Sequence, residues 1–369
     1  MQAHTSVTHT CQVAGAQRRN NVSRRRRLQM YAAAANAVEQ SQVAAPPARP
    51  SGPLVDIVEA LFKFPPFFSF ASKKARAMIV KRGKKMGLDF EAEIAHLQGV
   101  DWAAELAAVE DKSVKYPDYY TVPFHAYPEG NLGWTPAMEM TVAARSVHST
   151  VYADDGKTLD PEGDNNLRSS YSRCMQQLLE EQQAARPVQQ ILDVGASTGL
   201  SSLALLAAFP AAEVTGVDLS PHMLAVGSYL QRQRQQQRAA AGQPPEQLRF
   251  VHAAGEDTRL PDESVDLVSV MLVCHELPAA ASQAVFKEAH RVLRPGGALA
   301  VMEMNPASPG FRRIFANPFP YVAFKSTEPW LLEYLGLDMA GAMRAAGFSS
   351  VKELENSPRH ETVVAVKSS

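Results

Sequence analysis

The run Ile191-Leu192-Asp193-Val194-Gly195-Ala196-Ser197-Thr198-Gly199-Leu200 sets an apolar stretch, an acid and a string of small residues in that order. It predicts a strand that ends in a carboxylate, turns through a tight loop and opens a helix. Small residues let a ligand approach the backbone, and a helix start offers free N–H groups. On its own the run could be the turn of a dinucleotide fold. The fingerprint of that turn, GxGxxG, fits poorly, because Ser197 and Leu200 stand where it wants glycine. A second acid, Asp218, closes the next strand candidate 19 residues after Gly199. A carboxylate there can accept both hydroxyls of a ribose. His275-Glu276 follows the fourth strand candidate, at the carboxyl edge where open α/β sheets bind ligands. His275 has the chemistry of a general base; the plainer alternative is a residue that shapes the pocket. Glu303, at the end of the fifth strand candidate, reads as structural or pocket-lining.

Three later segments narrow the choice. Ala253-Ala254-Gly255-Glu256-Asp257 follows the third strand and leads to Leu260-Pro261-Asp262-Glu263-Ser264-Val265-Asp266. Arg291-Val292-Leu293-Arg294-Pro295-Gly296-Gly297 introduces the fifth strand, and Ala346-Gly347-Phe348 precedes a hairpin. Taken in this order with the first loop and Val217-Asp218-Leu219-Ser220, they resemble the class I S-adenosylmethionine-dependent methyltransferase family. The similarity is strongest to the branch that holds the ubiquinone and menaquinone C-methyltransferases, and it covers roughly residues 166–369. The resemblance implies S-adenosylmethionine as cofactor and assigns roles by position. Gly195, Ala196, Ser197 and Gly199 would wrap its methionine part, and Asp193 would orient the loop or the amino group. Asp218 would hold the ribose, with Leu219 and Met223 beside the adenine and Gly255 and Glu256 at its edge. The chain departs from the pattern at Ala254, where many relatives carry Asp, and at Ser197, where the middle glycine is common. His275 is the catalytic candidate. Two other readings stay open: a protein that binds S-adenosylmethionine without turnover, and an NAD-dependent oxidoreductase, which the Gly pattern and Arg294-Pro295-Gly296-Gly297 disfavour.

These residues need a frame that brings strand ends together. Strand candidates are Gln190–Val194, Glu213–Asp218, Leu248–His252, Val265–Val273, Ala298–Met304, Val351–Leu354 and Thr362–Val366. Helix candidates between them are Leu200–Ala208, Pro221–Ala239, Ala279–Leu293 and Pro329–Ala346. Alternating strands and helices predict an α/β fold with a parallel sheet covered on both faces. The short turn near Ser357-Pro358 joins its two strands antiparallel, since parallel pairing needs a long crossover. The expectation is therefore a seven-stranded, mostly parallel Rossmann-like sheet whose last strand is antiparallel, with a helical N-terminal extension. Asn166 is a candidate N-cap for a helix running to Gln183.

Residues 46–165 make up the helical, aromatic-rich extension, and 54–150 give few strand signals. Helices are expected over Leu54–Phe64, Phe67–Met86, Phe90–Glu110 and Pro136–Val151. Phe68, Ala71, Ala75, Ile79 and Met86 mark one face of the second, and Lys73, Lys74, Arg76, Lys81, Arg82, Lys84 and Lys85 the other. Such a basic helix can rest on an anionic membrane or be merely solvated. Tyr116, Tyr119, Tyr120, Phe124, His125, Tyr127 and Trp134 form an aromatic cluster that could be a lid over the acceptor or glue for the extension. The run from Val122 to Leu132 resembles uncharacterised plastid and cyanobacterial relatives.

Residues 1–45 hold six Arg, one Glu and no Lys or Asp, so this segment is +5 in a chain of net charge −1 and the rest carries −6. It is cationic, acid-poor and without a continuous apolar core, the composition of a chloroplast or mitochondrial transit peptide. The acidic remainder argues against a nucleic-acid partner. Three cysteines, Cys11, Cys174 and Cys274, show no metal or disulfide spacing. Methyl transfer from a sulfonium needs no metal, and the partner expected is a small-molecule acceptor.

Overall fold

The structure, a computed structural model, describes residues 57–369 apart from 58, 59, 62, 63, 126, 154, 185, 318–320, 322, 323 and 326. The expected transit peptide and most of the helix expected at Leu54–Phe64 lie outside the described residues.

Seven strands form one sheet: β1 (Gln190–Val194), β2 (Glu213–Asp218), β3 (Leu248–His252), β4 (Val265–Met271), β5 (Leu293–Met304), β6 (Ser350–Ser357) and β7 (His360–Val366). Their spatial order is β3-β2-β1-β4-β5-β7-β6. β1 to β5 pair in parallel, and β7 runs antiparallel to both β5 and β6. The order reverses between β1 and β4, which opens a crevice at their carboxyl ends. β4 is buried along its whole length. Strands covered on both faces have no solvent side, so they read as continuous apolar runs.

The helices are α1 (Pro65–Lys85), α2 (Phe90–Ala95), α3 (Trp102–Val109), α4 (Trp134–His148), α5 (Gly163–Glu181), α6 (Leu200–Ala208), α7 (Pro221–Ala240), α8 (Ala279–Val292), α9 (Pro309–Phe315), α10 (Leu331–Leu335) and α11 (Met339–Ala345). On one face of the sheet Leu167, Tyr171, Met175 and Leu178 of α5 pack with Leu205 of α6 against Ile191, Leu267 and Ala300. On the other, Val285 and Phe286 of α8, Tyr334 of α10 and Met343 of α11 pack against Leu192, Val268 and Leu299.

The interior strands fall where expected, and most departures are at helix breaks. The single helix expected at Phe90–Glu110 is two, because Gly99 takes φ +83° and Asp101 caps a new start by accepting from Ala104 N–H. The helix expected at Pro329–Ala346 is likewise divided, with Asp338 capping α11 through Gly341 N–H. Asn166 is not the N-cap of α5. The helix begins at Gly163, where a Cβ would lie 2.4 Å from the His148 carbonyl oxygen, and Asn166 donates its side-chain N–H to Asp160. β5 starts at Leu293 and takes in Arg294-Pro295-Gly296-Gly297, which the sequence reading left outside it. α9 carries no clear periodicity and was not expected.

An aromatic joint docks the N-terminal helices on the catalytic half, and a polar one ties them to one another. Trp102 of α3 and Trp134 of α4 lie 5.2 Å apart, centroid to centroid, and Trp102 meets Tyr229 of α7 at 5.6 Å. Buried Glu139 of α4 pairs with Arg76 of α1 and accepts from the Tyr127 hydroxyl at 2.8 Å.

Candidate functional site

The loop after β1 is built from three left-handed residues in five: Gly195 at φ +73°, Ser197 at +50° and Gly199 at +92°. Gly195 and Ala196 both give their N–H to Val217 O, at 2.8 and 3.0 Å, which folds the loop back over β2. A Cβ on Gly195 would meet Val273 at 2.5 Å, and one on Gly199 would meet the Phe250 ring at 2.8 Å. Both glycines are therefore demanded by the turn and by the chain's own packing, before any ligand is considered. Asp193 sits beneath the loop, fully buried, with Oδ2 accepting from the Ser201 and Ser202 hydroxyls at 2.7 Å each. Burial raises its carboxyl to about 6, against the pull of those two serines.

Asp218 ends β2 facing the cleft. Its Oδ2 accepts from Ser197 N–H at 2.8 Å and its Oδ1 from Ser220 N–H at 2.7 Å, with the Tyr120 hydroxyl 3.5 Å from Oδ1. Burial pushes its carboxyl upward, opposed by those backbone donors. The cap of α7 is Ser220, whose Oγ accepts from Met223 N–H. Asp218 thus braces the loop and leaves α7 to be capped by its neighbour.

A cleft of about 740 Å³, its open mouth included, runs over these strand ends. Gly195, Asp218, Leu219, Gly255 and Glu256 line it, together with Tyr119, Tyr120, Phe124, Asn131 and Glu276. Val194, Val217, Leu272, Val273, Leu277 and Val285 make the remainder apolar. Asp193 of β1 and Ala196, Ser197 and Gly199 of the loop stand behind the lining. Met223 is turned into a separate core with Leu97, Ala137 and Val226.

The aromatic cluster divides between the two roles weighed for it. Tyr119 and Tyr120, on a short 3-10 turn at Asp118–Tyr120, reach into the cleft. Tyr119 gives its hydroxyl hydrogen to Glu256, and Trp330 Nε1–H donates to Tyr119 O at 3.3 Å. Tyr116 stacks on Tyr120. Trp134 serves the joint to the catalytic half, and Tyr127 bonds Glu139 within the extension. The Glu256 carboxylate is thus already engaged from the N-terminal side.

His275 does not line the cleft. Its Nδ1 lies 3.0 and 3.1 Å from the two oxygens of fully buried Glu303, whose Oε1 also accepts His275 N–H at 3.3 Å. Burial works against a charge on the ring, but Glu303 prevails and holds it at about 10. The group exposed to the cleft is the next residue, Glu276, raised to about 7 by burial and partly by Glu328 and Asp218. His125 stands beside it, with Nε2 at 3.5 Å from Glu276 and 3.1 Å from Glu328. Burial opposes protonation of His125, and Glu328 and Glu276 outweigh it. Sequence reasoning named His275-Glu276 but gave the chemistry to the histidine, and it missed Glu328 and Asn131. Only the position of Glu276 beyond a strand end could have pointed to it.

The cleft suits the cofactor that the loop implies. Asn131 Oδ1, on the cleft wall, is a buried acceptor without a donor. S-adenosylmethionine carries donors in its amino group, its ribose hydroxyls and its adenine, and unmet buried acceptors are costly.

Residues 192–301 match the family model described as a methyltransferase domain. The demethylmenaquinone methyltransferase of Anoxybacillus flavithermus is 31% identical over 177 residues, covering 44% of this chain and 70% of that protein. The one from Lysinibacillus sphaericus is 30% identical over 141 residues, covering 38% of this chain and 55% of that protein, so the chain spans about half the length of this relative. Among solved structures, human N-acetylserotonin methyltransferase in complex with S-adenosylmethionine has a TM-score of 0.45 at 13% identity, covering 79% of this chain and 70% of that one. The sheet order and the cleft at its reversal define a class I, Rossmann-like α/β domain. The chain belongs to the S-adenosylmethionine-dependent methyltransferase family.

Proposed function

We propose that the protein transfers the methyl group of S-adenosylmethionine to a small organic acceptor of the prenyl-quinone or pigment-precursor kind. The observation that carries this is a cleft with the Gly195 loop and Asp218 at one part of its wall and a largely apolar remainder interrupted by Asn131, Glu256 and Glu276. When bound, S-adenosylmethionine supplies an electrophilic methyl on a sulfonium. Asp218 accepts the ribose hydroxyls, Leu219 and Gly255 flank the base, and Asn131 Oδ1 offers an acceptor to the amino group. Tyr119 and Tyr120 close the N-terminal side and exclude water, while Phe124, Leu272 and Val285 provide an apolar bed for a planar acceptor. Alignment in such a dry site supplies most of what a methyl displacement needs.

The acid-poor segment 1–45 supports a chloroplast location, with the mitochondrion as the alternative. Exposed Phe64, Phe70 and Met78, among the lysines of α1, support peripheral contact with a membrane that holds such acceptors. Among the described residues no helix is long and apolar enough to cross a membrane.

The test is transfer of labelled methyl from S-adenosylmethionine to quinols and phenols, and to a plastid extract, with identification of the product. Methyl transfer to one of these acceptors is the expected result. Binding of the donor without transfer to any acceptor would establish a non-catalytic binding protein instead.

A further inference from the structure

Three ligating side chains from two distant parts of the chain converge beside the cleft, with Glu328 next to one of them. His125, His275 and Glu276 each place one ligand atom within 4.8 Å of the others. Glu328 joins them through the 3.1 Å contact from its Oε1 to His125 Nε2. Its other oxygen, Oε2, is buried with no hydrogen-bond partner, on a residue 5% exposed. We propose that His125, His275 and Glu276 bind a divalent first-row transition-metal ion, with the Glu328 carboxylate held beside His125.

The spacing suits an ion. Ligands about 2.1 Å from a common centre are about 3.0 Å apart on an octahedral edge and about 3.4 Å on a tetrahedral one. His125 Nε2 stands 3.1 and 3.5 Å from its two carboxylate neighbours. The donor set, imidazole nitrogen with carboxylate oxygen, favours zinc, iron or manganese over calcium. The surroundings of His275 are those of a metal ligand. Glu303 fixes Nδ1 and leaves Nε2 as the free nitrogen, an outer partner of the kind that orients ligating histidines. His125 is fixed too. It takes a left-handed φ of +48°, strained for a non-glycine, and its N–H donates to Thr327 O at 3.0 Å, which sets it beside Glu328.

Charge gives a separate reason. Glu276, Glu303 and Glu328 are three carboxylates around two imidazoles in a region largely shut from water. A dication offsets them while both imidazoles stay neutral, as ligation requires. Glu276 lines the cleft and His125 keeps 30% of its side chain exposed, so the ion is reachable from solvent. Resting on the methyl-transfer reading, the ion narrows the acceptor to one with a ligating oxygen. Coordination would lower the pKa of that oxygen, so that its proton passes to solvent and the oxyanion can take the methyl as the sulfonium bond breaks.

The experiment uses the full chain, stripped with a chelator and desalted. Zn²⁺ is titrated by calorimetry, and Co²⁺ is followed by its visible absorption, which reports nitrogen ligation. The expected result is one ion per chain, with His125→Ala and Glu276→Gln each weakening binding by about tenfold or more. Glu303→Gln should cost about ten- to a hundred-fold through His275. Glu328→Gln serves where another variant melts unfolded. Asp218→Ala should keep metal affinity while losing affinity for S-adenosylmethionine, so failure of the cofactor cleft and failure of the ion site are distinguishable. No saturable binding of either ion overturns the proposal, as does binding undiminished in His125→Ala and Glu276→Gln. The five groups would then be an ion-pair network with protonated imidazoles.

Discussion

Asp218 does two jobs with one carboxylate: it takes Ser197 N–H and Ser220 N–H and still faces the cleft. Asp218→Ala is expected to weaken S-adenosylmethionine binding about ten- to a hundred-fold, because a charged acceptor is lost to ribose hydroxyls. It should also lower the melting temperature, since two backbone donors lose their acceptor. Asp218→Asn should do less of both. Unchanged affinity in a folded Asp218→Ala, read by calorimetry, rules the contact out. His360 makes a second residue-scale prediction. Burial, with His148, Arg359 and His275 adding like charge, holds its ring well below 6.5, and Ser357 Oγ sits 2.7 Å from Nδ1. The unfolded chain takes up this proton near pH 6.5 while the folded chain does not. The contribution of His360 is therefore complete above that pH and declines as pH falls below it. Buried Asp164, lowered from 3.8 by His148 and Arg168 against the effect of burial, adds a further loss in stronger acid. In urea melts the stability advantage of the parent over His360→Gln should shrink from about pH 8 to about pH 5; a difference that does not change with pH removes the claim. Asp218 was legible in the sequence because it ends an apolar strand at a fixed distance from a small-residue loop. Glu328 was not, since nothing local to residues 320–330 marks a side chain whose partner lies 203 positions earlier.

The loop from Gly195 to Gly199 works as a unit because its backbone is bent at three points and clasped to β2. Gly199→Ala puts a Cβ into left-handed φ and against Phe250, at a strain of about 1–3 kcal/mol. A lower melting point should appear together with weaker cofactor binding, because the same loop presents Ser197 N–H to Asp218. A variant as stable as the parent would show that the loop has room to relax. The strands of this half were readable since period and burial agree in them. The helices of the N-terminal part and those after β5 were less so. Gly99 and Gly336 interrupt continuous apolar patterns, and a pattern records which face is buried without recording where the axis turns. The tyrosine turn was readable only as aromatic content; its entry into the cleft depends on Trp330, more than two hundred residues away.

Over the whole molecule, the order β5-β7-β6 sets the strand that follows all others in sequence inside the sheet instead of at its edge. β7 pairs with β5 from Ala298–Val366 to Met304–His360, and with β6 along its other side. Deleting residues 357–369 should leave β5 with an open edge and β6 without a neighbour. Loss of the cooperative melt and aggregation are expected, checked by circular dichroism and light scattering; a soluble, cooperative truncation would refute it. A chain made from its N-terminus forward therefore presents β1 to β5 with a bare edge until β7 emerges and slots in. Glu303, which orients His275, lies on that same bare edge. The pairing that completes the sheet thus also pairs the strand that carries Glu303. The sheet order acts as a check on completeness and leaves the waiting chain dependent on whatever shields exposed edges in the cell.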